Sequence, residues 1–205
     1  MLEKLAALGA VAALIVGCAP DKALPTAGLE IRTPLYAIGG EGDINMGTHM
    51  TGDEEIFTPT PPSTATPADS KGQGEAIFRV NSDGTVDFRV VASNINNVIM
   101  SHIHCGRPGT NGPIRMWLYP VIGPSGAAGP NGTGRHNGVL ASGTFDPTGV
   151  TCLAANVGSD MPLLDAMRAG LTYVNVHTND GVGATNTGPG DFPGGEIRGQ
   201  LDHGR

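Results

Sequence analysis

The sequence predicts an all-β protein, an antiparallel β-sandwich or barrel that follows an N-terminal export segment. Seven short strand-like runs follow one another along the chain, each bounded by Gly, Pro or Asn. Glycine and proline are abundant, at 32 and 16 of 205 residues, as expected for a protein rich in turns and loops. Short strands at such spacing are typical of a sandwich or a barrel.

The clearest element is a β-hairpin that begins after residue 70. Residues Glu75–Val80 and Thr85–Val91 alternate apolar and polar side chains, which is typical of strands with one buried face. Between them lies Asn81–Gly84, whose Asp-Gly pair favours a tight turn. Five further strands are predicted, at residues 98–104, 113–119, 139–145, 171–177 and 196–201.

The one short helix that the sequence predicts begins near Pro162. Ser159 or Asp160 can cap its N-terminus, and Pro162 fits its first turn. The apolar residues at positions 163, 164 and 167 share a face, and Gly170 follows as a stop.

Two long segments are predicted to be loops. Residues 58–70 contain four prolines, a density that no strand ladder tolerates. Residues 123–138 are rich in glycine but lack the Gly-Lys-Ser/Thr ending of a phosphate-binding loop. We therefore expect both segments to connect strands without binding nucleotides.

The N-terminus predicts export. Residues 5–16 form an uninterrupted apolar run after Lys4, too short to span a bilayer and suited to the apolar region of a signal peptide. The run ends in Leu-Ile-Val-Gly-Cys18, which resembles the bacterial lipobox. This resemblance implies that residues 1–17 are removed and that Cys18 is lipidated, with residues 18–46 as a tether or an approach to the fold. A signal peptide cut elsewhere and a buried helix are the alternatives. The expected location is the cell envelope, with the chain lipid-anchored to a membrane and facing the periplasm or the cell surface.

The remaining cysteines and the charge balance agree with export. Without Cys18, the chain has an even pair, Cys105 and Cys152, and two such thiols in an oxidising compartment usually form a disulfide. We predict that bond, with two buried free thiols as the alternative. The formal net charge of −7, without clustered Lys or Arg, predicts no nucleic-acid partner.

Several motifs together resemble one known family. They are His49–Glu55, Gly74–Ala76, Ser101–Gly109, Asn111–Pro113, Gly170–Thr178 and Pro193–Leu201. Their order and spacing resemble the CHRD domain, named after chordin, which would occupy residues 47–205. The resemblance implies an immunoglobulin-like or superoxide-dismutase-like antiparallel β-sandwich without an established catalytic activity. The leading expectation is therefore a binding or structural module whose partner is an envelope protein or a polysaccharide, with no catalytic residues and no cofactor.

Three histidines are the candidate metal ligands. His102 and His104 lie on one face of a strand because side chains alternate with period two, and His177 ends another strand that carries Tyr173 and Asn175. Neutral imidazole binds copper and zinc well, so the three side chains predict a metal site if they converge.

The order of these histidines is also similar to that of the copper ligands of copper-zinc superoxide dismutase, an exported β-sandwich with a disulfide. Only His136 lies between His104 and His177, so the bridging histidine and the zinc site of that enzyme cannot both be supplied. A copper-only site is therefore the alternative function, with His136 as a candidate fourth ligand. Arg198 follows His177 as a guiding arginine does in such enzymes, or it pairs with Glu196 or another carboxylate.

The competing interpretation makes the three histidines a scaffold. In it they hydrogen-bond to the backbone, to Asn175 or to Thr178, and they fix loops at one end of the sandwich. The acidic run Asp53–Glu55 lacks the spaced oxygen ligands of a calcium loop and is predicted to be a solvated strand end. Trp117 is predicted to pack in the core, with a binding face as the alternative.

Overall fold

Eleven β-strands and two short α-helices occur within residues 45–59, 63–120 and 134–203, the part of the chain that the computed structural model describes. Nine strands form one antiparallel sheet in the order β5-β4-β9-β10-β1-β2-β3-β6, with β11 beside β1. The end strands β5 and β6 approach each other, so the sheet is almost closed. The strands are β1 (Asn45–Thr51), β2 (Gln73–Val80), β3 (Val86–Asn96), β4 (Val98–Cys105), β5 (Ile114–Tyr119), β6 (Arg135–Phe145), β7 (Thr151–Cys152), β8 (Met161–Pro162), β9 (Thr172–Thr178), β10 (Ile197–Gln200) and β11 (Asp202–His203).

The all-β antiparallel fold and the hairpin are confirmed. Strands β2 and β3 pair in register from Gln73↔Ser93 to Val80↔Val86 and bury alternate side chains. The turn is held by Asn81 N–H, which donates to Thr85 O at 2.8 Å. Gly84 adopts a φ of +87° there, a conformation that glycine tolerates and other residues rarely adopt.

One face of strands β4 and β9 belongs to the hydrophobic core, which also includes residues of β1, β2 and β3. Ile103, Val174 and Val176 belong to it, and each is fully buried. Every residue of β9 is buried, so the opposite face of this strand is also covered. That second face carries the histidines, and loops cover it.

The predicted disulfide joins Cys105, at the end of β4, to Cys152 in β7, with their Cα atoms 5.6 Å apart. Both half-cystines are fully buried in the core. The bond closes a long loop that contains β5 and β6, so it restricts the unfolded chain over much of the domain.

Some sequence predictions need correction. There are two short helices, α1 (Ala154–Val157) and α2 (Leu163–Arg168), where one was predicted. Neither Ser159 nor Asp160 caps α2; Asp160 Oδ1 instead accepts from Ala154 N–H at 2.6 Å, ahead of α1. The helix does stop as predicted, before Gly170 with a φ of +67°.

The two predicted loops differ in outcome. The described part of residues 58–70 contains no strand, only a 3₁₀ turn at Pro67–Asp69. In the glycine-rich segment, residues 135–138 belong to β6, whereas positions up to 133 lie outside the described residues. The export signal, Cys18 and most of the tether also lie outside them, and among the described helices none is long and apolar enough to cross a membrane.

Candidate metal centre

Three imidazoles converge on the loop-covered face of β4 and β9. In the antiparallel register His102 lies opposite Asn175, and His104 lies opposite Tyr173. His177 is two residues beyond Asn175 and so projects from the same face. One nitrogen from each of the three histidines lies within 4.8 Å of the others, so the three rings, whose convergence the sequence left open, do come together.

Backbone carbonyls from two loops orient two of the rings. His104 Nδ1 lies 2.8 Å from Gly112 O, and His177 Nδ1 lies 2.9 Å from Pro193 O. Because a carbonyl oxygen only accepts, each Nδ1 must carry the hydrogen, and we assign the lone pair to Nε2 in both rings. His104 Nε2 then has no hydrogen-bond partner, whereas His177 Nε2 lies 3.1 Å from His102 Nδ1 and 2.9 Å from Asn175 Oδ1.

The His102 ring adds a second nitrogen without a hydrogen-bond partner. His102 Nδ1 lies 3.1 Å from His177 Nε2. His102 Nε2 and His104 Nε2 are buried and have no hydrogen-bond partner. Buried nitrogens without partners are rare in folded proteins, and in a cluster of three imidazoles they mark a place where a cation can bind.

Burial keeps the three rings neutral. Burial, together with the charges that His177 and His104 would carry, lowers the pKa of His102 to about 2. The pKa values of His104 and His177 fall to about 4, again mainly through burial, and the hydrogen bonds to Gly112 O and Pro193 O oppose that fall. Neutral imidazole is the form that binds metals, so the site is ready to bind at neutral pH.

Aromatic rings and a buried arginine surround the cluster. The Trp117 ring meets His102 edge-on with centroids 4.2 Å apart, so Trp117 packs beside the site. Tyr173 stacks on His104 at 4.7 Å, and the Arg198 guanidinium lies 3.5 Å from the centre of the Tyr173 ring.

Arg198 is neither a solvent-facing guide nor a partner of Glu196, although its charge acts on the Glu55 carboxylate. It is only 2% exposed, with its guanidinium donating to Asn111 Oδ1 and Thr110 O at 2.8 Å each. It therefore does not face solvent as a guiding arginine would. The pairing with Glu196 is also wrong, because the Glu196 carboxylate accepts from Ser70, Thr178 and Gly190 N–H.

Glu55 is a residue of the site that sequence reasoning missed. Burial raises its pKa to about 7, although Arg198 and a hydrogen bond from Asn175 act in the opposite direction. Its Oε2 atom is buried and has no hydrogen-bond partner. The prediction of a solvated strand end is therefore wrong for Glu55, though Asp53 and Glu54 are exposed as expected.

His136, a candidate metal ligand, and Thr178, a candidate hydrogen-bond partner of the histidines, do not take part in the cluster. His136 lies on β6, where its Nε2 contacts Gly138 O at 3.3 Å, and it is not one of the converging histidines. Thr178, which was expected to bind a histidine, donates to Glu196 instead. The backbone and Asn175 contacts of the scaffold interpretation are present, so the three rings also tie loops to the sheet.

The fold and the site define an antiparallel β-domain with a buried three-histidine cluster beneath its loops. The CHRD domain family matches residues 46–201, and the chain belongs to this family. That membership points to a binding or structural module. No match was found among curated proteins or among solved structures. The matched residues include all three histidines, so the cluster is part of the CHRD domain itself.

Proposed function

We propose that this CHRD domain is a metal-binding module of the cell envelope that holds one copper ion on His102, His104 and His177. The observation that carries the proposal is the convergence of three buried imidazoles, in which His102 Nε2 and His104 Nε2 have no partner and loop carbonyls orient His104 and His177. A histidine that ligates a metal usually donates its other N–H to a carbonyl or a carboxylate, and that is the arrangement of His104 and His177.

The spacing of the nitrogens suits one ion. Imidazole nitrogens bind a first-row metal at about 2.0–2.1 Å, so two of them 3.1 Å apart subtend about 100° at the metal. That angle is ordinary in a coordination shell. The widest pair, within 4.8 Å, closes around an ion with small rotations of the rings.

Copper binding is proposed without superoxide turnover. The cluster is almost closed to solvent, with His102 fully buried, His177 5% exposed and His104 7% exposed. Arg198 is buried as well, so it does not present a solvent-facing cation that would guide an anion inward. A store, a carrier or a structural copper site fits this enclosure better than a fast catalyst does.

The envelope location rests on the sequence alone. We propose that Cys18 carries a lipid anchor and that the domain meets an envelope protein or a polysaccharide. Metabolic labelling with a fatty acid tests the anchor: label that appears in the whole chain and disappears in Cys18→Ser supports it, and unlabelled protein contradicts it.

Metal analysis of the whole chain tests the site. We expect about one copper per chain after purification without a chelator or a histidine tag and reloading with copper. The copper should be lost in His102→Ala and in His177→Ala. His136→Ala is the matched control, since it removes a histidine that does not join the cluster, and it should keep its copper.

The scaffold interpretation gives a different result. If the wild-type chain retains no copper and no zinc, the histidines only tie loops to the sheet. Copper that survives in the His102→Ala and His177→Ala variants would place the ion elsewhere and overturn the proposed site.

A further inference from the structure

Asn175 lies among the three histidines on the same face of β9. Its Oδ1 atom is 2.9 Å from His177 Nε2, and Asn175 lies opposite His102 in the β4–β9 register. We propose that this amide oxygen is a fourth ligand of the metal and that Glu55 is the residue that positions it. The inference rests on the copper site proposed above and adds a ligand and a positioning residue to it.

The contact between Asn175 and His177 is not a satisfied hydrogen bond. His177 Nδ1 donates to Pro193 O, so its Nε2 presents a lone pair. The Asn175 oxygen that faces this nitrogen presents lone pairs as well. Two acceptors at 2.9 Å repel each other unless something positive lies between them, and a metal ion bound by both removes the conflict.

The distance also fits two ligands of one ion. Atoms that each lie about 2.0–2.1 Å from a metal and 2.9 Å from each other subtend about 90°. The Asn175 oxygen and the nearer His102 nitrogen therefore flank His177 Nε2 at similar separations, 2.9 and 3.1 Å. Three donor atoms so spaced belong to a single coordination shell.

Rotating the Asn175 amide by half a turn would also remove the conflict, and Glu55 opposes that rotation. The Glu55 carboxylate lies beside the Asn175 amide nitrogen, since Glu55 Oε2 and Asn175 Nδ2 both lie within 2.9 Å of the position that a Cβ would take at Gly195. An ionised carboxylate only accepts, so it holds the amide nitrogen on its own side and leaves the oxygen towards the histidines.

The backbone makes room for this arrangement. Glu55 Oε2 and Asn175 Nδ2 both lie where the Cβ of any residue other than glycine would stand at position 195. Gly195 also has a φ of +132°, which side-chain-bearing residues rarely adopt. Its missing side chain lets the carboxylate reach the amide.

An amide oxygen as the fourth ligand predicts which oxidation state of copper the site binds. Three imidazoles and one amide oxygen suit Cu(II) and Zn(II), whereas soft sulfur ligands select Cu(I). Glu55 adds negative charge just behind the amide, which also favours a divalent ion. The described site therefore prefers divalent metal.

The test compares Cu(II) binding by the whole chain and four variants at pH 8.5, where Glu55 is ionised. Asn175→Leu removes the oxygen at nearly constant volume, and Asn175→Asp keeps an oxygen in place. Glu55→Leu removes the acceptor, whereas Glu55→Gln keeps one. We expect both leucine variants to bind Cu(II) about 10- to 100-fold more weakly and to change the copper hyperfine splitting in electron paramagnetic resonance. Asn175→Asp should retain binding, and Glu55→Gln should rescue what Glu55→Leu loses.

The outcomes separate this inference from the proposed function. A wild-type chain that binds no copper overturns both. Copper bound by Asn175→Leu with wild-type affinity and spectrum overturns the fourth ligand and leaves the three-histidine site intact. Should the leucine variants fail to fold, X-ray absorption and spin-echo spectra of the wild-type copper protein decide the question. A first shell of three imidazoles without a non-exchangeable oxygen would refute the proposal.

Discussion

Acid should destabilise the metal-free protein, because folding buries three histidines in the neutral form. The pKa values of His104 and His177 fall to about 4, and that of His102 to about 2, from a usual value of 6.5. The unfolded chain therefore takes up protons first as the pH falls. Stability from these groups is complete above pH 6.5 and is lost as the pH falls towards 4.

The size of the effect follows from the same values. One histidine whose pKa is 6.5 unfolded and about 4 folded loses about 2 kcal/mol of stability between pH 7.5 and 5. Three such groups lose about 6 kcal/mol if they act independently. Glu55 acts in the opposite direction, since its pKa rises from 4.5 to about 7 on folding. Burial of its charged form destabilises the fold at neutral pH, and protonation in acid removes that cost. That relief amounts to about 2 kcal/mol, so the net loss is about 4 kcal/mol.

Urea unfolding at the two pH values measures this loss. Trp117 is the chain's one tryptophan and lies against His102, so its fluorescence reports directly on the site. Glu55→Gln removes the opposing group and should increase the loss on acidification by about 2 kcal/mol. An unfolding free energy that is unchanged or higher at pH 5 would refute the reasoning, because the histidines would then not be buried as neutral groups.

Two further predictions concern the supports of the site. A Cβ at Gly112 would collide with Cys105 O, so Gly112→Ala should displace the carbonyl that holds His104, destabilise the fold by about 1–3 kcal/mol and weaken copper binding. Gly188→Ala, where a Cβ meets nothing within 4 Å, is its control in thermal unfolding and copper titration and should match wild type. Replacing Cys105 and Cys152 together by serine should lower the unfolding free energy in urea by about 2–5 kcal/mol, and a wild-type value would show that the bond does not stabilise the fold.

The strands and the histidine face were predictable because a period of two is local. His102 and His104 had to share a face once their segment was a strand, and His177 had to share one with Asn175. The pairing of β4 with β9 was not readable from the sequence, since it depends on long-range contacts. The convergence of the rings was therefore a hypothesis until the register was known.

Other features gave no sequence signal or a misleading one. In β1 the two buried side chains, Met46 and Met50, are four residues apart, a spacing that does not indicate a strand. Glu55 stands beside two exposed acidic residues, so composition indicated a solvated run. Its burial depends on Gly195, far along the chain, and only the folded backbone brings the two together.

The two loop carbonyls that aim the imidazoles have a kinetic consequence. Gly112 O and Pro193 O cannot move without releasing His104 and His177, and an ion cannot reach the rings while the loops stay closed. For the copper ion that we propose, uptake and release would require the same opening of the loops. The residence time of the metal would then be set by how often the loops open, and an ion bound to both rings would make such openings rarer. Exchange of the proposed ion should therefore be slow in both directions.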